Sequence, residues 1–469
     1  MTGKRFNHAI VLGGSMAGLL TARVLSDHFE QVTLIERDRF PETAENRRGV
    51  PQGRHAHAIL ARGVRILEGL FPGLGQEMVA QGAELGDPAA NGRWHQFGGY
   101  KLQFHAGLDG LLVSRALLET TVRRHVLARP NISARQEVSA RELVAEAGNR
   151  RVTGVRIAPR MMEDREGAAE SETLLADLVV DATGRGSRSP QWLSALGYEA
   201  PRESTVKVNL AYATRLYRRQ PAKAEDVKAF IMAQAPPNGT RGCAMLGIEN
   251  DQWILTLFGY LGDHPPADEA GFLEFARSLP APDVYNIISR SEPVSEITTY
   301  KFPANLRRHY EKLTRFPEGY LVIGDAVCSF NPIYGQGMSV SALEAEALGE
   351  TMRGITSLNG LAKQFYKRAI PVIDVPWTLA SGADLAINGV EGRRTPAVNL
   401  INAYVAKVHR ATMVDRQVAQ AFFNVANLIA APPVLFKPDI VWRVLRAQAA
   451  ASQMIGRPVS LQPQSLASR

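Results

Sequence analysis

The N-terminal segment carries the pattern that most constrains the fold of this chain. A short apolar run, residues 8–12, leads into a glycine-rich loop at residues 13–18, which opens an amphipathic segment at residues 19–25. A second apolar run, residues 32–35, ends at the acidic Glu36. Strand, glycine turn, helix, strand and acid at an offset of about 20 residues form the Rossmann βαβ unit that binds a dinucleotide.

The same pattern predicts how the loop would hold its ligand. Glycines allow a tight turn and let a diphosphate rest on the N-terminus of the following helix. Gly13, Gly14 and Gly18 occupy such positions, whereas Ser15 stands where the fingerprint has its middle glycine. Serine is small, so the ligand can still approach the backbone closely. Glu36 is then placed to bind the ribose hydroxyls of an adenosine.

A second loop, in the C-terminal half of the chain, also has the features of a ligand site. The apolar run at residues 319–323 predicts a buried strand, and Asp325 follows at its tip. A carboxylate there can accept hydrogen bonds from a polyol such as a ribityl chain. Residues 332–337 lack bulky side chains at their turn positions and lead into a helix. Backbone N–H groups of this loop can therefore approach a flat anionic ligand.

Composition and charge exclude several classes of protein. The chain has 469 residues, of which 45% are hydrophobic and 21% charged, so two or three globular domains are expected. The net charge is +8, but the basic residues are dispersed and lack the interleaved aromatic residues of a nucleic-acid surface. Cys243 and Cys328 have neither a metal-ligand spacing nor a disulfide framework. We expect a cytoplasmic protein, because no signal peptide and no membrane-spanning apolar run is visible.

The remaining patterns predict the order of the elements. Ser114 is a predicted helix N-cap, and a third apolar strand at residues 178–180 ends in the turn at residues 181–186. Residues 202–310 alternate between apolar and polar side chains, which indicates a separate sheet. Beyond residue 338 the pattern is mostly helical.

With both loops in place, the chain resembles the FAD-dependent aromatic hydroxylase and epoxidase superfamily, which includes p-hydroxybenzoate hydroxylase and squalene epoxidase. Three motifs carry the resemblance: residues 13–18 with Glu36, residues 181–186, and residues 324–337. Among the members of this superfamily, the chain most resembles bacterial epoxidases that act on polyene or terpenoid intermediates.

This resemblance implies an α/β (α+β) fold. Its parts are a Rossmann-type FAD-binding domain of the glutathione reductase-2-like type, a mixed-sheet substrate domain and a helical C-terminal region. The predicted ranges are 1–70, 100–200 and 315–355 for the discontinuous FAD-binding domain, 71–99 and 201–314 for the substrate-binding sheet domain, and 356–469 for the helical region.

The resemblance also assigns cofactor contacts by position. Arg115 is similar to the arginine that pairs with the FAD phosphates, and Val138 stands where the family offers backbone to the adenine. Asp325 is expected to bind the ribityl chain. The full set implied is Gly13, Gly14, Ser15, Met16, Ala17, Gly18, Glu36, Arg37, Arg115, Val138, Asp181, Gly184, Gly324, Asp325, Gly337 and Met338.

The isoalloxazine ring is expected to be lined by Pro332, Gly335, Gln336, Gly337 and Met338. Catalytic side chains are not identified, because the flavin carries the chemistry. His55 and His57 lie in a loop that passes near the flavin in such proteins. Without further ligands beside them, they are interpreted as structural or hydrogen-bonding residues, and no metal is predicted.

One departure from the family pattern concerns the electron donor. The hydroxylases carry an Asp-Gly pair in the middle motif that contacts both FAD and NAD(P)H, and here the matching pair is Thr183-Gly184. The nearest acid is Asp181, two residues earlier. FAD binding is compatible with this change, since the glycine and the turn are kept. NADPH or NADH is expected as the donor, either directly or through a separate flavin reductase.

The predicted function is monooxygenation of a hydrophobic, natural-product-like substrate by O2 through a flavin C4a-hydroperoxide. Alkene epoxidation is favoured because it needs no protein base, and none is evident, with His95 and His105 unplaced. Aromatic hydroxylation and an oxygen-independent prenyl reduction of the geranylgeranyl reductase type stay as alternatives, as does a non-catalytic flavin-binding protein. A halogenase is disfavoured, since its Trp-x-Trp-x-Ile-Pro signature is missing. Peripheral contact with a membrane stays open.

Overall fold

The computed structural model describes residues 4–160, 171–220 and 227–455. The helices of this part are α1 (Met16–Leu25), α2 (Ala61–Leu70), α3 (Leu74–Ala80), α4 (Arg115–Leu127), α5 (Ser189–Ala195), α6 (Glu269–Arg277), α7 (Asp283–Ile288), α8 (Gly337–Gly354), α9 (Leu361–Leu385), α10 (Pro396–Ala411), α11 (Arg416–Ala426) and α12 (Pro438–Met454). Its strands are β1 (Phe6–Leu12), β2 (Phe29–Ile35), β3 (Glu84–Gly86), β4 (Gly92–Gln96), β5 (Gly99–Tyr100), β6 (Gly110–Leu112), β7 (Ile132–Arg135), β8 (Val138–Ala145), β9 (Val152–Pro159), β10 (Glu172–Leu175), β11 (Leu178–Asp181), β12 (Glu203–Arg218), β13 (Ala229–Met232), β14 (Arg241–Ile248), β15 (Gln252–Gly259), β16 (Thr298–Arg308), β17 (Tyr320–Val322) and β18 (Cys328–Ser329).

Two compact units divide the chain. The first contains the chain up to Ala80 together with Ser114–Lys207 and Ala304–Gly382. The second contains Gln81–Val113, Val208–Pro303 and the chain from Ala383. The predicted α/β fold class is confirmed, with a parallel sheet in the first unit and a mixed sheet in the second.

The first unit is built on a parallel five-stranded sheet in the order β17-β11-β1-β2-β7. Its strands are short apolar runs because both faces are covered, and every side chain from Ala9 to Leu12 in β1 is buried. In register, Leu12 lies beside Asp181 of β11 and beside Ile35 of β2. Helices α1 and α8 pack against each other. An antiparallel sheet of β8, β9 and β10 completes this unit.

The second unit contains a mixed sheet in which β12, β15, β14, β13, β4 and β5 follow one another. Strands β14 and β15 pair antiparallel over their full length, and β13 pairs parallel to β4. Helices α6 and α7 contribute Phe272, Phe275 and Val284 to a core shared with Trp253 and Leu255 of β15. This sheet confirms the separate sheet predicted from the alternation of residues 202–310.

The division into units differs from the sequence-based domain ranges in several places. Residues 71–80, 201–207 and 304–314 were assigned to the substrate-binding domain but lie in the first unit. Residues 100–113 were assigned to the FAD-binding domain but lie in the second unit, because β4 joins the mixed sheet through β13 and β5 pairs with β4. The predicted C-terminal region, 356–469, is divided after Gly382. Residues 456–469 lie outside the described part. Among the helices of the described residues, none combines the length and apolar character that crossing a bilayer requires.

Candidate functional site

Three loops meet at one edge of the parallel sheet. Strands β1, β11 and β17 are adjacent and parallel, so their carboxyl ends lie side by side, which is where ligands bind in such sheets. Gly13 follows β1 with φ +98°, and a Cβ added there would lie 2.6 Å from the carbonyl oxygen of Ala182. Gly324 follows β17 with φ +70°, and its added Cβ would lie 2.7 Å from Cβ of Ala17. The motifs at residues 13–18, 181–186 and 324–337 are therefore in contact.

The glycine loop leaves backbone exposed at the start of α1. An added Cβ at Gly14 would lie 2.6 Å from Cζ of Phe40, and one at Gly18 would overlap the carbonyl oxygen of Gly13. Ser15 is the N-cap residue of α1, yet its side chain makes no capping hydrogen bond to the helix. The first N–H groups of α1 are thus left for another acceptor. This arrangement fits a diphosphate at the helix N-terminus.

The residues expected at the adenosine end lie together at the end of β2. The buried Glu36 carboxylate accepts hydrogen bonds from Gly14 N at 2.8 Å and from Asp38 N at 2.9 Å. The backbone N–H of Val138 donates to the Glu36 carbonyl at 3.2 Å. Arg37 is exposed, and its carbonyl accepts from Arg160.

A cleft of about 650 Å³ opens on this side of the sheet. Its walls combine aromatic and charged side chains, including Phe40, Asp38, Arg48, Glu137 and Arg160. Its first lining residue, Asp38, lies two positions after Glu36 in the chain, so the predicted adenosine contacts border the cleft.

Arg115 belongs to a buried cluster of charges beside the glycine loop. Its Nη2 donates to Ser15 Oγ at 2.8 Å and to Glu119 Oε2 at 3.0 Å. Arg47 Nε donates to Glu119 Oε1 at 2.7 Å, and its Nη2 donates to the Gly14 carbonyl at 3.0 Å. Arg47 Nη1 lies 2.9 Å from Glu36 Oε2. The structure thus joins Arg115, predicted from the sequence, to Arg47 and Glu119, which the sequence analysis did not identify as site residues.

Asp325 stands at the end of β17 with open space in front of it. Cβ atoms added at Gly184 and Gly337 would each lie 4.0 Å from its side chain. Burial raises the pKa of Asp325, and the charges of Arg115 and Arg185 oppose this rise. Within the described part of the chain, the carboxylate makes no hydrogen bond. A carboxylate with free acceptor positions, facing space that two glycines keep open, fits a hydroxyl-bearing chain such as the ribityl group.

The loop after Asp325 ends at a second uncapped helix. A 3-10 turn at Pro332–Tyr334 follows Asn331, whose side chain accepts from Ile333 N at 3.3 Å. Gln336 is the N-cap residue of α8 and makes no side-chain capping bond, and Gln336 and Met338 are buried. The first N–H groups of α8 fit the anionic edge of a reduced flavin ring.

Asp181 differs from Asp325 because its carboxylate already accepts hydrogen bonds from other residues of the protein. It is fully buried and accepts from Thr183 N at 2.8 Å, from Thr183 Oγ1 at 2.6 Å, and from the hydroxyls of Ser187 and Ser189. These bonds hold the turn that carries Gly184 beside Asp325. A direct contact of Asp181 with the cofactor stays a prediction.

The two histidines of the 55–57 loop are neutral at physiological pH. Burial lowers the pKa of His55 to about 4, with Arg54 adding to the effect. Burial lowers the pKa of His57 to about 3, with Arg115 adding, and His57 Nδ1 lies 2.8 Å from the His55 carbonyl oxygen. The described residues contain no group of three or more potential metal ligands.

Glu344 is a buried carboxyl group behind the Gly324 turn. Its Oε2 accepts from Gly324 N at 2.7 Å. Burial raises the pKa of Glu344 to about 8, the Gly324 hydrogen bond opposes this rise, and the charge of Asp325 adds to it. Because the folded-state pKa lies above the ordinary value of 4.5, the stability that this group contributes is fully present below about pH 4.5 and is lost as the pH rises from there to about 8.

Glu344→Gln is therefore expected to flatten the fall in melting temperature of the FAD-free protein between about pH 5 and pH 8. Glutamine keeps an oxygen for Gly324 N and cannot ionise. Thermal unfolding by circular dichroism across this pH range measures the effect. Glu346→Gln on the same helix is the control, since Glu346 pairs with Arg62 at the surface. Equal slopes for wild type and Glu344→Gln would contradict the assigned pKa.

A comparison with known families decides what this site is. A family model described as an FAD binding domain matches residues 7–364, which include all three loops. The chain belongs to this FAD-binding family. The predicted FAD site therefore lies within the residues that the family model matches. The features of this structure that fit the cofactor are the glycine loop, Asp325 and the two uncapped helix N-termini.

Individual relatives agree with this family. The chain is 37% identical to protein Rv3254 of Mycobacterium tuberculosis over 372 residues, which are 77% of this chain and 76% of that protein. It is 23% identical to kynurenine 3-monooxygenase of Salinispora arenicola over 370 residues, covering 74% and 73%. In fold it is similar to PqsL, a probable FAD-dependent monooxygenase from Pseudomonas aeruginosa, with a TM-score of 0.61, 17% identity and coverage of 82% and 97%. Two of these three relatives are thus named as monooxygenases.

Proposed function

We propose that the protein transfers one oxygen atom from O2 to a hydrophobic, natural-product-like substrate, and that the reaction is epoxidation of an alkene. The choice of epoxidation rests on where the histidines lie that could act as the base in a base-dependent reaction. Epoxidation requires no protein base, because the π bond of the alkene is itself the nucleophile. Hydroxylation of a phenol benefits from a base near the substrate oxygen.

His95 and His105, the two histidines whose role the sequence left open, both lie in the second unit and contact other side chains there. His95 is buried, which lowers its pKa, and its ring lies 5.0 Å from that of Tyr100. Burial also raises the pKa of Tyr100, and its hydrogen bond to Asp283 adds to this effect. His105 lies at the surface, 3.1 Å from Asp87. None of these groups has the character of a base poised for a substrate, which supports epoxidation.

The roles of the chain's own residues follow from the site. FAD, when bound, supplies the redox and oxygen chemistry. The N–H groups at the start of α1 bind its diphosphate, and Glu36 orients the adenosine ribose. Asp325 orients the ribityl chain, and the N-terminus of α8 stabilises negative charge on the reduced ring. Residues 332–338 would line this ring.

NADPH or NADH is the proposed source of electrons. The Thr183-Gly184 turn is fixed by Asp181 and offers no carboxylate at the position where the hydroxylases have one. This difference supports delivery of the electrons through a separate flavin reductase as an alternative to direct use of NAD(P)H. Oxidation of NADPH and of NADH, followed at 340 nm with and without an added reductase, separates the two routes. A cytoplasmic location, a role in secondary metabolism and contact with a membrane surface stay predictions.

Aromatic hydroxylation is the second candidate, and the 23% identity to kynurenine 3-monooxygenase favours it. A panel of polyenes, terpenoids and phenols, with product analysis by mass spectrometry, separates the candidates. We expect epoxides from the alkenes and no turnover of phenols. Phenol hydroxylation without epoxides would favour the second candidate, and saturated alkenes formed without oxygen would show a prenyl reductase.

A further inference from the structure

We propose that Glu119 is a positioning residue for the diphosphate of FAD, because it holds the hydroxyl of Ser15 away from the N-terminus of α1. This inference rests on the proposed function, since it requires that the glycine loop binds the diphosphate. Neither the family pattern nor the sequence analysis gave Glu119 a role.

Ser15 stands where a serine ordinarily caps its own helix. An N-cap serine accepts a hydrogen bond from the N–H of the second or third helical residue. Ser114 does so at the start of α4, where its Oγ accepts from Leu117 N at 3.1 Å. Ser15 has the extended backbone of an N-cap residue, with φ −95° and ψ −173°, but it makes no such bond. Its hydroxyl instead donates to Glu119 Oε2 at 2.9 Å.

Both hydrogen-bonding functions of the Ser15 hydroxyl are used by side chains of α4. An ionised carboxylate only accepts, so Glu119 takes the hydroxyl proton. Arg115 Nη2 donates to the same oxygen at 2.8 Å and so occupies one of its two acceptor positions. The hydroxyl is therefore turned from the helix, and the N–H groups of the first turn of α1 stay available to an anion.

Glu119 is held firmly enough to impose this geometry. It is only 5% exposed, and Arg47 and Arg115 both donate to its carboxylate. Burial alone would raise the pKa of Glu119, but these two arginines outweigh burial and lower it. Glu119 is consequently ionised at neutral pH. Its charge also offsets part of the positive charge of the two guanidinium groups.

The test is a double-mutant cycle on FAD affinity, measured by flavin fluorescence titration of cofactor-free protein. Glu119→Gln is expected to weaken FAD binding at least about five-fold, the fold-change equivalent to an N-cap hydrogen bond of about 1 kcal/mol. Ser15→Gly, which has no hydroxyl to form a cap, is expected to bind FAD within about two-fold of wild type. The double variant Ser15→Gly/Glu119→Gln is expected to bind FAD more tightly than Glu119→Gln alone.

Two further variants keep the outcome clear. Glu119→Asp retains the charge but withdraws it from Ser15, so it replaces Glu119→Gln if the latter does not fold, with the same rescue by Ser15→Gly expected. Glu77→Gln removes a carboxylate of α3 that pairs with His125 of α4, the helix that carries Glu119. This variant is expected to leave FAD affinity unchanged. A merely structural role of Glu119 would give the same loss with glycine or serine at position 15, and that result would overturn the inference. Failure of the wild type to bind FAD would instead overturn the proposed function.

Discussion

Replacing Gly18 with alanine is expected to abolish detectable FAD binding. The added Cβ would overlap the carbonyl oxygen of Gly13, and this oxygen has no room to move because Gly13 itself sits against Ala182 with φ +98°. The loop backbone must therefore shift. Overpacking costs about 1–3 kcal/mol, and each lost hydrogen bond to the charged diphosphate costs about 1.5–3 kcal/mol. Affinity should fall on the order of 100-fold or more.

The measurement for Gly18→Ala is FAD titration combined with thermal unfolding. Gly69→Ala is the matched control, since Gly69 lies in α2 with no atom within 4 Å of an added Cβ. This control is expected to bind FAD normally and to be more stable by roughly 0.5–1 kcal/mol, because alanine favours a helix over glycine. Normal FAD affinity in Gly18→Ala would show that the loop is not the diphosphate site.

Replacing Asp325 with asparagine is expected to weaken FAD binding about 10- to 100-fold, since hydrogen bonds to a charged group contribute about 1.5–3 kcal/mol. The FAD-free protein should become more stable at neutral pH. Burial raises the pKa of Asp325, so its ionised form is disfavoured in the folded state. The cost of this charge builds up as the pH rises from the ordinary carboxyl pKa to the raised folded-state pKa, and asparagine removes it.

Opposite signs in the two measurements make Asp325→Asn informative. Thermal unfolding without FAD should give a higher melting temperature than wild type at pH 7, and this gain should shrink toward about pH 4. Asp177→Asn is the control, because Asp177 precedes β11 and binds the backbone of Asn7 and His8 at the other end of the sheet. An Asp325→Asn protein that loses stability and retains FAD affinity would assign Asp325 a structural role alone.

The local elements of the site were predictable because each has its signal within a short stretch of chain. The apolar runs at residues 8–12 and 319–323 predicted β1 and β17, and the side chain of Ser114 caps α4 as expected. The glycine at the first turn marked a tight approach, since Gly13 has φ +98° and lies against the backbone of Ala182.

Contacts between distant segments had no comparable signal. Arg47 and Glu119 are 72 residues apart, and their hydrogen bond depends on how α4 packs beside the loop after β2. The spacing of Arg115 and Glu119 on one helix face was visible, but an (i, i+4) pair is most often a surface feature. The grouping of residues 100–113 with the second unit likewise had no local signal, since β5 pairs with β4 and β4 in turn pairs with the distant β13.

In the proposed reaction, O2 supplies one oxygen atom to the product while reduced FAD is bound. A single turnover of the reduced holoenzyme with ¹⁸O2 and an alkene that it turns over tests this directly, with product analysis by mass spectrometry. We predict one ¹⁸O atom in each product molecule and no product in a matched anaerobic reaction. Product that forms without O2, or whose new oxygen comes from water, would show that the protein does not act as a monooxygenase.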